Sequence, residues 1–435
     1  AIVRRAGIRT VIVGPEALAG MAALASQLDF LQDQGLTVIA PLSELDSPLA
    51  GARRQLDSRD MARASAPANP AFTQADERLA YIVFTSGSTG EPKGVAISQA
   101  NLAVYMNNFR DLAAPLASDR VASTYELTFD VALHDLLNAW WSGATLVVMP
   151  ERTMLAPARF ILDKRISYWF SVASFAMILQ KQGLLRPGLF SGLRVSLLCG
   201  EALPKATAMA WAEAAPNSVL YNVYGPTETT MELAFYRWKP GHSEQHCLRG
   251  VAPIGVPFAD HQHLLLDEQG REVVGAGEGE LYLAGPQVGP GYWGDAARTV
   301  DTFVTLPGRS GRWYKTGDRI ERDSLGVYHF ISRVDFMVKV RGHRIELGDV
   351  EHALREASGV DLVAVIPLPA HDGLSQGLVA FVCAPCAHTG AAIRERLIGR
   401  LPKAMLPDEV RVLDDFPLNA NRKVDRSALA RLLRS

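Results

Sequence analysis

YIVFTSGSTGEPKGVAIS, residues 81–98, is the stretch from which the rest of the chain is read. Residues 79–84 (LAYIVF) are short, apolar and partly β-branched, which predicts a buried strand. The ten positions that follow, TSGSTGEPKG, hold three glycines, four hydroxyl residues and one lysine. Glycine lets a backbone turn its N–H groups inward at little steric cost. Ser and Thr hydroxyls add donors, and Lys93 adds charge. Such a loop suits a polyphosphate, although composition alone also fits a plain surface turn. The P-loop of the nucleotide triphosphatases needs G-x-x-x-x-G-K-[ST]. Here Pro92 precedes Lys93 and Gly94 follows it, so this is a different phosphate cradle.

The chain has 435 residues, which predicts at least two domains. It is 48% hydrophobic and 21% charged, with a net charge of −2, so no basic bias points to nucleic acid or a membrane surface. No apolar run reaches transmembrane length and no secretory signal opens the chain. Four cysteines (Cys199, Cys247, Cys383 and Cys386) are too few for a disulfide framework at this length. Cys383 and Cys386 form a lone CxxC. Without a second pair a structural zinc site is not expected. A redox pair stays open beside the simpler reading of two free thiols near a strand end. A reducing cytoplasm is the expected compartment.

The opening AIVRRAGIRTVIVGPEAL reads as a helix end, a strand over 10–13 and a turn, so an N-terminal portion is expected ahead of residue 1. Residues 61–76 read as a linker or surface loop. From 79 to about 330, short apolar strands (144–150, 194–200, 218–225) alternate with helical segments, which predicts α/β layers with a partly parallel sheet. A β-rich stretch follows, with 263–267 and 279–285. After Arg333 the pattern resets to helix, strand, strand and helix over roughly 100 residues, a usual domain size. In the last of these helices Ile393, Leu397 and Leu401 form one apolar stripe. The expected fold is α/β: a large N-terminal domain over 1–333 and a small mobile α+β domain over 334–435.

Five further stretches accompany TSGSTGEPKG in order: YELTFDVALHD (125–135), NVYGPTETT (222–230), WYKTGD (313–318), SRVDFMVKVRGHRIELGDVE (332–351) and NANRKVD (419–425). As a set they resemble the adenylate-forming superfamily over nearly the whole chain. Within it the chain resembles amino-acid-activating adenylation domains of nonribosomal peptide synthesis, a source of antibiotics. CGEALP (199–204) and WFSVASF (169–175) resemble stand-alone ligases that load D-alanine or another amino acid onto a carrier protein.

The resemblance implies a two-step reaction needing ATP and Mg²⁺. A carboxylate attacks the ATP α-phosphorus and releases pyrophosphate; a thiol then takes the acyl group from the adenylate. Two anions must meet, so the site needs positive charge and a metal. Thr85, Ser86, Gly87, Ser88, Thr89, Gly90 and Lys93 would hold the departing phosphates. Tyr224, with Gly225 behind it, would stack on adenine, and Asn222 would meet its edge. Thr227 would touch the α-phosphate, and Glu228, with Thr85, would bind Mg²⁺, a hard cation. Asp318 would take the ribose hydroxyls, assisted by Arg333. Lys423 would be the catalytic lysine, although an arbitrary lysine in a polar loop is merely solvated. Asp335 matches a hinge about which the small domain turns between the half-reactions. Lys339 and Gly342 would then face a pantetheine arm.

Asp130 matches the aspartate that pairs with a substrate α-ammonium, since a buried carboxylate needs such a partner. The remaining pocket positions are Val131, His134, Phe170, Leu197, Cys199, Gly200, Val223, Met231 and Glu232. Most are apolar and bulky, which favours a small or medium side chain. Glu232 would select a cationic or hydroxylated group or else point outward, and the sequence favours outward. His134 reads better as a core histidine than as a substrate contact. The implied partner is a phosphopantetheine carrier protein. An acyl- or aryl-CoA ligase and a non-catalytic scaffold with a decayed site remain the alternatives. Asp130 speaks against the first, and joint retention of Lys93, Glu228, Asp318 and Lys423 against the second.

Overall fold

A computed structural model describes residues 6, 8–14, 36–43, 52–63, 78–85, 92–150, 153, 156–334, 337–340, 343–368, 370–371, 374–375, 377–419 and 423–433. The candidate phosphate residues Ser86, Gly87, Ser88, Thr89 and Gly90, the hinge candidate Asp335, and Gly342 lie outside the described residues, as does the side chain of Lys339.

The large domain is built around a seven-stranded sheet. Its order is Val256–Pro257, Ala234–Arg237, Val219–Tyr224, Val195–Cys199, Tyr168–Val172, Arg120–Ser123, Thr145–Val148. The last five of these run parallel. Strands Tyr168–Val172 and Val195–Cys199 are buried at every position, as continuous apolar strands covered on both faces must be. Side chains alternate across the sheet. Trp169, Leu198 and Leu220 join a core with Phe175, Leu179 and Trp211 from helices Ala173–Lys181 and Lys205–Ala214. Phe170, Leu197, Tyr221 and Val223 face the other way, against Tyr105 and Phe109 of helix Gln99–Ala113 and Val131 of helix Asp130–Trp141.

Strand Leu79–Thr85, expected to be buried, is mostly half-buried, and it pairs with Lys93–Ser98 as an antiparallel hairpin, with Thr85 opposite Lys93 at its mouth. A further antiparallel sheet carries the long strand Trp313–Arg322 between Gly277–Ala284 and Tyr328–Arg333. In the small domain, strands Val363–Pro367, Leu378–Cys383 and Glu409–Leu413 pack against helices Leu347–Ser358 and Gly390–Leu397 around Val350, Leu354, Val365, Ala380 and Ile393. This is the mixed α/β architecture expected, with a large N-terminal and a small C-terminal domain.

Two local readings need correction. The helix expected over 391–401 ends at Leu397, because Gly399 adopts a φ of +83°. Leu401 reaches the same core from beyond the helix. Residues 61–63 of the expected linker complete a short helix, Ser58–Arg63. Cys383 closes its strand and all four cysteines are free thiols. Among the described residues no helix is long and apolar enough to cross a membrane.

Candidate active site

The C-terminal ends of parallel strands are where open α/β sheets bind ligands, and the candidate residues gather there. Cys199 and Tyr224 end their strands. Asp130 opens the helix after Arg120–Ser123. Thr227 and Glu228 lie on a short 3-10 turn, Thr227–Thr229, just past Tyr224. A cavity of about 610 Å³ is lined by Gly200, Asn222, Tyr224, Asp318, Arg333 and Lys423, among others. It therefore lies between the two domains.

Strand pairing brings Asp318 opposite Arg333. Arg333 Nη1 donates to Asp318 Oδ1 (3.0 Å), and the Tyr224 hydroxyl donates to Oδ2 (2.5 Å). Asn222 spends its amide N–H on the carbonyls of Pro253 (2.8 Å) and Ala252 (3.4 Å). Its oxygen is the group left to meet a ring amine.

At the hairpin mouth Lys93 Nζ donates to Glu228 Oε1 at 2.6 Å. The Tyr292 hydroxyl donates to the same oxygen at 2.7 Å and accepts from Lys93 Nζ at 3.0 Å. Burial disfavours ionised Glu228. The Lys93 charge and these hydrogen bonds outweigh it, and the carboxyl stays below its usual range. Thr85 Oγ1 is buried and without a hydrogen-bond partner among the described residues. One ionised carboxylate beside a lysine and an open hydroxyl fits Mg²⁺ held mainly through substrate phosphates. Among the described residues no cluster of three or more His, Cys, Asp or Glu could cage an ion unaided.

Lys423 comes from the small domain. Its N–H donates to Asn419 Oδ1, and Val424 N–H donates to Glu201 Oε1, both at 3.1 Å. Glu201 Oε2 in turn accepts from Ser174 N–H. Glu201 thus ties the lysine segment to the large domain. Gly200 has φ +76°, and a Cβ there would sit 2.9 Å from Lys423 Cε and 3.1 Å from Nζ. The bare glycine leaves the channel the lysine occupies.

Val131, Phe170, Leu197, Cys199, Val223 and Met231 meet in one hydrophobic cluster, and of these Val223 lines the cavity between the domains. Asp130 is 5% exposed. Its Oδ1 accepts from Val131 N–H, and Oδ2 has no partner among the described residues. Burial raises its pKa, opposed by the Thr227 hydroxyl and more weakly by the Lys423 charge. His134 corrects the substrate list. Its ring contacts the Tyr105 hydroxyl (2.6 Å), Asn138 (3.1 Å) and the Tyr168 hydroxyl (3.3 Å), so both nitrogens are engaged. Burial lowers its pKa to about 3.

Glu232, expected to point outward, is buried. The cause is local. Thr230 and Met231 both take positive φ, 61° and 65°, conformations rarely held by residues other than glycine. Buried Gln287 holds this turn. It accepts from the Thr230 hydroxyl through its backbone carbonyl and donates its amide to the carbonyls of Thr229 and Glu232. The turn leaves no room beside Gly225, where a Cβ would lie 1.9 Å from the Met231 carbonyl. Burial raises the Glu232 pKa to about 8, helped by the Asp130 charge.

Sequence reading missed Tyr292, Glu201 and Gln287. Tyr292 stands in a glycine-flanked GPGYWGD, a signal that could have found it. Glu201 lies inside CGEALP, and Gln287 carries no local signal.

Residues 1–293 match the family model for the AMP-binding enzyme, and 349–423 match the AMP-binding enzyme C-terminal domain. The chain belongs to this family, the ATP-using adenylate-forming ligases. It is 33% identical over 415 residues to an L-proline--[L-prolyl-carrier protein] ligase of Pseudomonas fluorescens, covering 94% of this chain and 78% of that one. It is 33% identical over 363 residues to a D-alanine--D-alanyl carrier protein ligase of Lacticaseibacillus casei, covering 80% and 70%. The crystal structure of IdnL7 superposes with a TM-score of 0.83 at 34% identity, over 99% of this chain and 80% of that one. The chain spans only 4–33% of the length of four synthetases and synthases that it matches at 32–36% identity.

Proposed function

We propose that the chain activates an amino acid as its adenylate and passes the aminoacyl group to the phosphopantetheine thiol of a carrier protein. Asp130 carries this reading. A buried carboxylate with an open oxygen, beside Thr227 and in the field of Lys423, is a poor feature for a fatty or aryl acid and a good one for an α-ammonium. The carrier-protein ligases among its relatives support the same class.

In the first step a substrate carboxylate oxygen attacks the ATP α-phosphorus, and the bond to pyrophosphate breaks. Lys423 would neutralise charge between the carboxylate and the α-phosphoryl oxygens, and Thr227 would donate to the latter. Tyr224 and Asn222 would hold adenine, Asp318 and Arg333 the ribose, and Lys93 with Thr85 and the loop of Ser86–Gly90 the leaving phosphates. Mg²⁺, held by Glu228, would supply charge neutralisation across the phosphates. In the second step the thiolate sulfur attacks the acyl carbonyl, the bond to AMP breaks, and AMP leaves with the electron pair. We place the domain boundary at 333/334, with Asp335 as the pivot that withdraws Lys423 for this step.

The deciding experiment is ATP–pyrophosphate exchange over proteinogenic amino acids, D-alanine, β-alanine, aryl acids and fatty acids. Exchange dependent on an amino acid is expected. Exchange with aryl or fatty acids alone would overturn the reading in favour of a CoA ligase. Tyr292→Phe tests the Glu228 arrangement. It removes one hydrogen bond to a charged carboxylate, which predicts a rise of about 10-fold in KM for MgATP. The amino-acid KM should stay put; a shift there instead would remove Tyr292 from the metal site.

A further inference from the structure

We propose that Glu232 reads a second amine in the substrate, so that the amino acid activated here is a diamino acid. The inference rests on the amino-acid reading of Asp130.

Glu232 is 4% exposed, and its Oε2 has no hydrogen-bond partner among the described residues. Asp130 Oδ2 shares both properties. A third orphan, the Tyr81 hydroxyl, is buried without a partner and lies in the field of both carboxylates. Three polar atoms bordering one apolar cluster are thus enclosed without a hydrogen-bond partner among the described residues. Natural interiors rarely leave such groups without a ligand or water to satisfy them.

The surrounding wall cannot answer the charge. Val131, Phe170, Leu197, Val223 and Met231 are apolar. The Cys199 thiol, which burial and the Glu232 charge keep protonated, gives Glu232 a hydrogen bond but no opposing charge. Asp135 adds a further acid to the field. Among the described residues the one cation acting on both acids is Lys423, and the proposed chemistry sends that lysine to the substrate carboxylate and the α-phosphate.

A substrate with a single ammonium would pair Asp130 and leave Glu232 either an unpaired buried charge or a protonated acid. In either state the second carboxyl adds no attraction to such a substrate. A hydroxyl would give Glu232 a hydrogen bond but no opposing charge. A second ammonium satisfies the remaining oxygen and cancels the repulsion between the two acids. Val131 and Met231, the sequence neighbours of Asp130 and Glu232, meet in one apolar cluster, which places the two acids against the same part of the core. The strained turn at Thr230 and Met231, clamped by Gln287, is the device that aims Glu232 inward, and strain of this kind is retained where a site uses it.

The test is ATP–pyrophosphate exchange on the native protein with diaminopropionate, diaminobutyrate, ornithine and lysine, each against its mono-amino counterpart: alanine, aminobutyrate, norvaline and norleucine. Serine, threonine and asparagine complete the set. One diamino acid should exceed its counterpart in kcat/KM by on the order of 100-fold or more, since a site built for a polar partner rejects the analogue lacking it. Glu232→Gln should collapse that ratio to within about 10-fold, lowering the diamino acid and raising the counterpart. A merely structural role would lower both alike. If the variant does not fold, the native panel decides by itself. Preference for a neutral, hydroxyl or amide side chain overturns the inference and leaves the amino-acid reading standing. Exchange with aryl or fatty acids alone, or with nothing at all, overturns both.

Discussion

Lys423→Ala is expected to lower amino-acid-dependent ATP–pyrophosphate exchange by roughly 10²–10³-fold, the usual cost of removing one preorganised group from a charge-developing transition state. The loss should fall on kcat, because the proposed chemistry assigns adenine, ribose and α-ammonium to other residues. The geometry makes the variant informative. Lys423 is anchored through its backbone, by Asn419 Oδ1 and by the Val424 to Glu201 bond, and its side chain runs past a glycine that leaves room for it. Alanine therefore keeps the anchors and deletes only the ammonium. Lys423→Arg should not restore the rate, since a planar fork is no substitute for a compact point charge in a channel this tight. With adenylate supplied ready-made, transfer to a phosphopantetheine thiol should continue within a few-fold of the native rate, because the proposed chemistry uses the lysine only in the first step. Exchange left intact in Lys423→Ala would remove the lysine from the mechanism.

Much of this arrangement is legible along the chain, because its parts are local. The strand and the glycine–hydroxyl loop with its lysine, residues 79–94, are announced by composition and order, although the return strand that makes them a hairpin is not. Continuous apolar runs announce buried parallel strands. What escapes is written across distance. Tyr292 meets Lys93 from 199 positions away and Glu228 from 64, and no periodicity carries that information. Glu232 escapes for another reason. Its inward aim depends on two non-glycine residues at positive φ, a choice that local propensity argues against. Gln287 enforces it from a different segment. The small-domain helix shows the same limit in miniature. Leu401 keeps the apolar spacing of Ile393 and Leu397, but Gly399 ends the helix first. The stripe is a property of the core, reached by two kinds of backbone.

Asp130→Asn carries the second large effect and separates function from scaffolding. If Asp130 pairs the α-ammonium, its loss should reduce kcat/KM for the amino acid roughly 1,000-fold, in line with about 4 kcal/mol for breaking a buried charge pair. The KM for ATP should change little. The same substitution should stabilise the free protein. The Asp130 pKa is raised above its ordinary 3.8, chiefly by burial. The folded state therefore holds this proton more tightly than the unfolded chain, and its stability falls as pH rises through the window between the two pKa values. Neutral asparagine removes that penalty. The Tm of Asp130→Asn should exceed the native value by a few degrees at neutral pH, and the gap should close in acid, where native Asp130 is protonated as well. A structural aspartate behaves in the opposite way: its removal lowers Tm at neutral pH and leaves substrate discrimination unchanged. Activity and melting temperature moving in opposite directions would mark a carboxylate kept for the ligand at the expense of the fold, the relation expected where a site needs a charge that the interior does not favour.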